Sequence, residues 1–171
     1  MVGMMGAGKT AVGQALARML AVPFRDSDAE IVAASTMSIA EIFERDGEAF
    51  FREKEAQVIA RLIADRPSVL STGGGAWMTG ANRATIGRLG VSVWLRAEIE
   101  TLWARVRHKS TRPLLKTPDP LGTLTRLAED RAPVYALADV TVDTRPEYSV
   151  ERTAGRVLEA LAARDDVVEP R

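Results

Sequence analysis

The sequence predicts an α/β fold in which a central parallel sheet is flanked by helices. Short runs rich in β-branched residues alternate with longer stretches of helical period, a pattern typical of βαβ units. Five strands are predicted, formed by the segment around Val2 and by residues 23–26, 69–72, 91–95 and 140–143. Each predicted strand ends where a loop begins. Because ligands of an open parallel sheet bind beyond the carboxyl ends of its strands, we expect the functional residues there.

Length and composition indicate a single globular domain over residues 1–171. The chain is 46% hydrophobic and 27% charged, which argues against disordered, collagen-like and membrane classes. Its formal net charge is zero, so we expect no nucleic-acid partner, and no apolar run is long enough to span a membrane. The chain has no cysteine, which is compatible with a reducing compartment. We therefore expect a cytoplasmic protein.

Apolar residues at helical spacing predict three helices that face the core. They comprise Val12, Leu16, Met19 and Leu20, then Phe51, Val58, Ile59, Leu62 and Ile63, and finally Val150, Ala154, Val157, Leu158 and Leu161. Residues 109–122 contain three prolines and no clear period, so a loop is predicted there. Long irregular loops in compact domains are usually functional, which favours a mobile lid over a passive connector. Residues 165–171 are predicted to be a flexible tail.

A glycine-rich motif after the first predicted strand indicates a phosphate-binding loop, or P-loop. It consists of Gly3, Met4, Met5, Gly6, Ala7, Gly8, Lys9 and Thr10. The glycines let backbone N–H groups point at phosphate oxygens, and the following helix adds its positive end. Lys9 would contact the β- and γ-phosphates of ATP, while the Thr10 hydroxyl would ligate Mg²⁺. Only two residues precede Gly3, so we expect the first strand to be short.

Two aspartates, Asp26 and Asp28, lie at the end of the second predicted strand. One carboxylate could hold Mg²⁺, and the other could orient an attacking hydroxyl and accept its proton. The alternative is that one of them caps the helix that follows, a role that does not exclude catalysis.

Glycines and arginines farther along the chain are ambiguous when taken alone. Gly73–Gly75 follow the third predicted strand, where they would allow a ligand close to the backbone or simply form a turn. Arg52 by itself resembles a surface charge. Arg112, in the proline-rich loop, could neutralise a transferring phosphoryl group. Arg131 precedes a proline that is expected to end or kink its helix.

Taken together, these motifs resemble the shikimate kinase family. The matching segments, from Val2 to about Asp143, are Gly-Met-Met-Gly-Ala-Gly-Lys-Thr, Phe-Arg-Asp-Ser-Asp, Ser-Ile-Ala-Glu-Ile-Phe, Asp-Gly-Glu, Phe-Arg-Glu-Lys-Glu, Gly-Gly-Gly-Ala, Arg-Pro-Leu-Leu and Arg-Ala-Pro-Val-Tyr. The resemblance implies a three-layer P-loop kinase fold with a five-stranded parallel sheet, a lid at about 107–122 and a substrate-binding helical region at about 28–62. It also implies a monomer that transfers the γ-phosphoryl group of MgATP to the 3-hydroxyl of shikimate.

The resemblance further implies roles for individual residues. Asp26 would serve the Mg²⁺ site with Thr10, and Asp28 would bind shikimate hydroxyls and assist deprotonation. The catalytic residues would be Lys9, Asp28 and Arg112. The shikimate carboxylate would be held by Arg52 and Arg131, with backbone contacts from Gly73, Gly74 and Gly75. Arg112 would reach the ATP phosphates, and the adenine would lie between Arg105 and Pro146.

Two other interpretations remain open from the sequence. A related small-molecule P-loop kinase, such as a gluconate or nucleoside monophosphate kinase, would share Lys9 and Thr10. A nucleotide-dependent switch or a non-catalytic binding module is a different class. The sequence has no Asn-Lys-x-Asp guanine motif, and every catalytic position expected of a shikimate kinase is filled. Both observations favour the kinase.

Overall fold

The computed structural model describes residues 1–108 and 115–164, in which strands alternate with helices. The elements are α1 (Lys9–Met19), β1 (Phe24–Asp26), α2 (Ser27–Ser35), α3 (Ile39–Asp65), β2 (Val69–Ser71), α4 (Gly80–Leu89), β3 (Val93–Arg96), α5 (Ile99–Val106), α6 (Pro120–Tyr135), β4 (Val140–Asp143) and α7 (Val150–Ala162). A short 3₁₀ helix, Ala76–Met78, lies between β2 and α4. None of the helices in these two ranges is both long enough and apolar enough to cross a membrane.

The strands form two parallel pairs that the N-terminal residues join. β1 pairs with β2, and β3 pairs with β4. Between the pairs, the Met1 carbonyl accepts a hydrogen bond from Thr72 N at 3.2 Å, and Val2 forms a parallel bridge with Trp94. The order across the sheet is therefore β1, β2, the N-terminal segment, β3 and β4. The predicted α/β class is confirmed, with the first predicted strand reduced to one bridge because the chain turns away at Gly3.

Helices cover the sheet and bury most of the predicted apolar positions. α1 and α7 pack against each other, with α1 also against β1 and β2 and α7 against β4, while α6 packs on β3 through stacked rings of Tyr135 and Trp94. Two predicted core residues are nevertheless exposed, Met19 by 45% and Val150 by 37%. Both stand at helix ends, as the last residue of α1 and the first of α7, where the helix leaves the core.

The helices α2 and α3 carry a small core of their own, formed by Ile31, Ile42 and Phe51. The Ser38 side chain accepts from Glu41 N, and the Glu41 carboxylate accepts from Ser38 N, a capping box that begins α3. Gly47 interrupts the helix with φ 84° and ψ 169°. α3 is therefore two helical pieces joined at a glycine, because residues with a Cβ rarely adopt that conformation.

The proline-rich loop ends earlier than predicted. Residues 120–122 form the first turn of α6 rather than the end of a loop, since Pro120 is at the start of the helix and Asp119 caps it. The Asp119 carboxylate accepts a hydrogen bond from Gly122 N at 2.9 Å. The predictions for Arg112, for the centre of the lid and for the tail fall on residues 109–114 and 165–171, which lie outside the described residues.

Candidate active site

The phosphate-binding loop connects the sheet to α1 through a backbone that only glycine can form. Gly3 and Gly6 have φ angles of 135° and 82°. A Cβ on Gly3 would lie 2.7 Å from the Leu95 carbonyl oxygen, and one on Gly6 would lie 2.9 Å from Val106 Cγ1. Both contacts are shorter than packing allows, so the loop lies directly on β3 and α5.

Two basic side chains hold this loop from either side. Lys9 Nζ donates to the carbonyl oxygens of Gly3 and Met4, at 2.8 and 3.0 Å. Arg105 Nη1 donates to the Gly6 carbonyl at 3.0 Å. Both cations therefore lie beside the loop, where an anion bound to its N–H groups would be attracted to them.

A cavity of about 390 Å³ opens from the loop toward the ends of β1 and β2. The predicted site residues that line it are Met5, Gly6, Gly8, Lys9, Thr10, Asp26, Asp28, Gly73, Gly74 and Arg105. These residues come from four separate parts of the sequence. The fold thus brings the phosphate loop, the aspartates and the glycine segment around one space.

Asp26 combines the two roles considered for it in the sequence. Its Oδ1 atom accepts hydrogen bonds from Asp28 N at 3.0 Å and Ala29 N at 3.2 Å, which caps α2. Its Oδ2 atom accepts from the Thr10 hydroxyl at 3.3 Å. Asp26 Oδ2, which takes no part in capping the helix, and the Thr10 hydroxyl oxygen are therefore adjacent oxygen ligands of the kind that Mg²⁺ prefers.

These two oxygens suit a metal that a nucleotide helps to hold. No group of three or more His, Cys, Asp or Glu side chains that could bind a metal occurs within residues 1–108 and 115–164. Mg²⁺ at nucleotide sites usually takes one or two protein oxygens and completes its shell with phosphates and water. The donor set of Thr10 and Asp26 fits that arrangement.

Asp28 lies over the glycine segment together with a residue that the sequence did not single out, Glu55. A Cβ on Gly73 would be 2.8 Å from Asp28 Oδ1 and 3.0 Å from Glu55 Oε1. Glu55 is fully buried, and its Oε1 atom has no hydrogen-bond partner among the described residues. Burial raises the pKa of Glu55, and the nearby charge of Asp28 adds to the effect, whereas Arg52 opposes it.

Arg52 reaches the glycine segment from α3 in a fixed orientation. Its Nη1 atom donates to Glu55 Oε2 at 2.7 Å, and its Nη2 atom donates to the exposed Glu48 at 3.3 Å. The guanidinium lies 5.2 Å from the ring centre of Phe51. A Cβ on Gly75 would clash with this guanidinium, so the glycine is required for their close approach. Arg52 is therefore not the ordinary surface charge that its sequence context suggested.

A signal for Glu55 was present in the sequence. Glu55 stands four residues after Phe51 and four before Ile59, on the apolar stripe of α3. A charged residue on such a stripe is rarely buried without a partner. Its partner, Arg52, lies one helical turn earlier, which is the spacing at which helix side chains meet.

Arg131 approaches the same glycine segment from α6. A Cβ on Gly74 would be 3.5 Å from Arg131 Nη1, from the Gly3 carbonyl oxygen and from the Tyr135 hydroxyl. Arg52 and Arg131 thus meet neighbouring glycines from different helices. Pro133 lies inside α6, which ends two residues later, in agreement with the predicted helix end near the proline.

Pro146 and Arg105 line different cavities in the described structure. Pro146 lines a second cavity, of about 690 Å³, with Trp94, Arg96, Tyr135 and Arg145, whereas Arg105 lines the cavity at the phosphate loop. The structure does not bring the two residues around one cavity.

The family model, the curated relatives and solved structures each include a match to shikimate kinases. A family model described as shikimate kinase matches residues 5–162. The chain is 62% identical over 169 residues to a shikimate kinase from Ruegeria pomeroyi, covering 99% of this chain and 87% of that protein. It is 64% identical over 169 residues to one from Cereibacter sphaeroides, covering 99% and 84%. Among solved structures, the shikimate kinase from Acinetobacter baumannii in complex with shikimate matches with a TM-score of 0.91 and 36% identity, covering 96% of this chain and 92% of that one.

Proposed function

The chain belongs to the shikimate kinase family, as its motifs indicated, and we propose that it transfers the γ-phosphoryl group of ATP to the 3-hydroxyl of shikimate. One observation supports this most directly. The cavity at the phosphate loop continues to Asp28, Gly73 and Gly74, so donor and acceptor would occupy one space. Reaction rates rise steeply when two substrates are held in line within a closed site.

The phosphate end of the site would act mainly through electrostatics. Backbone N–H groups of the loop would bind the β- and γ-phosphates, with Lys9 turning from the Gly3 and Met4 carbonyls toward the transferring group. Mg²⁺, held by Thr10 and Asp26 directly or through water, would neutralise charge on these phosphates. Such preorganised charge is usually the largest single contribution to catalysis of this type.

The acceptor end would orient shikimate and take up its proton. Arg52 and Arg131 would bind the carboxylate, because guanidinium groups match carboxylates in a bidentate geometry. The N–H groups of Gly74 and Gly75 would add backbone contacts. Asp28, between the glycine segment and the phosphate loop, would bind the ring hydroxyls and accept the proton of the attacking one.

The lid and adenine assignments remain proposals based on family resemblance. Arg112, in the lid region at about 107–122, would reach the ATP phosphates, and the adenine would lie between Arg105 and Pro146. We expect Arg112→Ala to lower kcat by about a hundredfold while the KM for shikimate changes by no more than about threefold. Steady-state kinetics measure both constants, and an unchanged kcat would remove Arg112 from the mechanism.

We also propose that the enzyme acts as a monomer in the cytoplasm. The absence of cysteine in the sequence is consistent with a reducing compartment. Sedimentation of the purified chain at several concentrations would measure its oligomeric state.

A coupled assay for ADP release tests the proposed function. The purified chain is incubated with ATP and, separately, with shikimate, gluconate or a nucleoside monophosphate, each with and without Mg²⁺. Among these combinations, we expect ADP release only when shikimate and Mg²⁺ are both present with ATP. Asp28→Asn should lower the rate of that release by about a hundredfold or more. Phosphorylation of gluconate but not shikimate would assign the chain to a different kinase activity. Binding of shikimate and ATP without turnover would indicate a non-catalytic module.

A further inference from the structure

Tyr135 ends the Arg-Ala-Pro-Val-Tyr segment of α6 and has no role in the mechanism described so far. Its side chain is 1% exposed, which makes it one of the largest fully buried side chains among the described residues. The ring stacks on Trp94 of β3, with ring centres 5.8 Å apart and planes at 23°. Packing against the sheet therefore fixes the position of the hydroxyl.

The hydroxyl reaches the point where three parts of the site meet. It donates a hydrogen bond to the Gly74 carbonyl at 2.5 Å and lies 3.9 Å from the sulfur of Met4 in the phosphate loop. A Cβ on Gly74 would lie 3.5 Å from each of three atoms: the Tyr135 hydroxyl oxygen, Arg131 Nη1 and the Gly3 carbonyl oxygen. One buried O–H group thus touches the glycine segment and lies beside both the phosphate loop and an acceptor arginine.

Arg131 is coupled to this hydroxyl through α6. The two residues are four apart, so their side chains lie on one face of the helix. Burial raises the pKa of the Tyr135 hydroxyl, and the charge and hydrogen bonding of Arg131 oppose that rise. Arg131 Nη1 and the Tyr135 hydroxyl lie at the same 3.5 Å from the Cβ position of Gly74, and a tyrosine oxygen that donates to one group is able to accept from another.

We propose that Tyr135 is a positioning residue of the acceptor site, whose hydroxyl holds the Gly74 carbonyl in place and orients the Arg131 guanidinium toward the acceptor carboxylate. Fixing the Gly74 carbonyl also fixes the peptide that carries Gly75 N–H. This inference rests on the proposed shikimate kinase activity. Tyr135 itself is buried under the glycine segment and acts on the acceptor only through these two groups.

Removing one tyrosine hydroxyl at a time tests the proposal. Tyr135→Phe keeps the ring on Trp94 and removes only the O–H group. The matched control is Tyr148→Phe, because Tyr148 is the only other tyrosine in the chain and its hydroxyl accepts from Arg156 on α7. We expect Tyr135→Phe to raise the KM for shikimate about five- to tenfold, as for one lost hydrogen bond, with the KM for ATP changed less than about twofold. The control should leave both constants unchanged.

A second set of variants separates positioning from a loss of stability. Tyr135→Phe, Arg131→Lys and the double variant are compared by KM for shikimate, by calorimetric binding of shikimate and by Tm. If Tyr135 acts through Arg131, the factor by which the double variant raises the KM for shikimate is smaller than the product of the factors for the two single variants. If Tyr135 were only structural, its replacement by Phe would lower Tm and raise the KM for shikimate and the KM for ATP equally.

Two results would overturn the inference. If the wild type phosphorylates shikimate but Tyr135→Phe retains its KM for shikimate, the positioning role fails and the proposed function stands. If the wild type neither phosphorylates nor binds shikimate, the proposed function fails and this inference fails with it.

Discussion

The two ends of the candidate site are built in different ways. At the phosphate end, eight consecutive residues supply the loop, and its anion-binding groups are backbone N–H groups. At the acceptor end, single residues from α2, α3, α6 and the glycine segment meet, and side chains hold one another in place. The phosphate end thus depends on local backbone conformation, and the acceptor end depends on tertiary contacts.

This difference predicts which substitutions will affect catalysis and which will affect acceptor binding. At the phosphate end, loss of one charged group should reduce catalysis while the fold persists. At the acceptor end, loss of a buried partner should disturb its arginine and weaken acceptor binding, even when the substituted residue does not touch the acceptor.

Lys9→Ala tests the phosphate end. We expect kcat/KM to fall about a thousandfold, because one preorganised charge at a developing phosphate charge contributes on that scale. Tm should change little, since the hydrogen bonds of Lys9 to the Gly3 and Met4 carbonyls lie within its own loop. Lys54→Ala is the control, because Lys54 is 42% exposed on α3. Equal losses of activity in both variants would contradict the assignment.

Glu55→Ala and Glu48→Ala test the acceptor end as a matched pair, because both glutamates contact Arg52. Glu55 is buried and 2.7 Å from the guanidinium, whereas the Glu48 side chain is 66% exposed and 3.3 Å away. We expect Glu55→Ala to raise the KM for shikimate about thirtyfold, since a hydrogen bond to a charged group contributes about 2 kcal/mol. Glu48→Ala should change it less than about twofold, as for exposed ion pairs. Similar kinetics for the two variants would mean that Glu55 does not orient Arg52.

Gly47→Ala tests whether the acceptor helices depend on one backbone conformation. Neither Gly47 nor Gly155 has an atom within 4 Å of its Cβ position, but Gly47 has φ 84° and Gly155 lies within α7. We expect Gly47→Ala to lower the free energy of unfolding by about 1 to 2 kcal/mol, because its conformation is nearly specific to glycine. Gly155→Ala should raise it by up to about 1 kcal/mol through helix propensity. Thermal or urea unfolding measures both, and a change of the same sign in the two variants would contradict this.

Asp139→Asn tests a region remote from both ends of the site. Asp139 accepts hydrogen bonds from Ser92 N at 2.8 Å and Ser92 Oγ at 2.5 Å. Burial opposes ionisation, but these hydrogen bonds and the charge of Arg164 outweigh it and hold the pKa of Asp139 below its ordinary value of 3.8. The resulting stabilisation is present above that value and is lost as the pH falls through the lowered pKa.

We therefore expect Asp139→Asn to lower the free energy of unfolding by about 1 kcal/mol at pH 7, and the difference from the wild type to shrink as the pH falls below 3.8 through the lowered pKa. Kinetic constants for both substrates should be unchanged. Urea unfolding at several pH values measures the effect, and a difference that does not vary with pH would show that ionisation of Asp139 is not involved.

Prediction from sequence succeeded where function depends on neighbouring residues. The phosphate loop, the strand positions and the placement of Asp26 and Asp28 at a strand end all follow from local patterns, and the structure contains them. The start of α6 was placed too late because the three prolines suggested a loop, although Asp119 and Pro120 together form a helix start.

Sequence reasoning was least informative for residues whose contacts come from distant segments. Arg52 taken alone resembled a surface charge, and only the family resemblance gave it an acceptor role, whereas the fold places Gly75 against its guanidinium. Tyr135 had no role in the sequence beyond its place in the Arg-Ala-Pro-Val-Tyr segment, and its partner Gly74 is 61 residues away in the sequence. Helical spacing did not reveal that Met19 and Val150 lie at helix ends beyond the core.

The sequence by itself determined the α/β class, the phosphate loop and, through its family motifs, the kinase family. These features are encoded in short segments, because strand and helix periodicity and glycine backbone freedom act over a few residues. Only the tertiary structure decided which groups orient the acceptor residues. That depends on contacts between α3, α6 and the glycine segment, and such contacts exist only after the chain has folded around a common core.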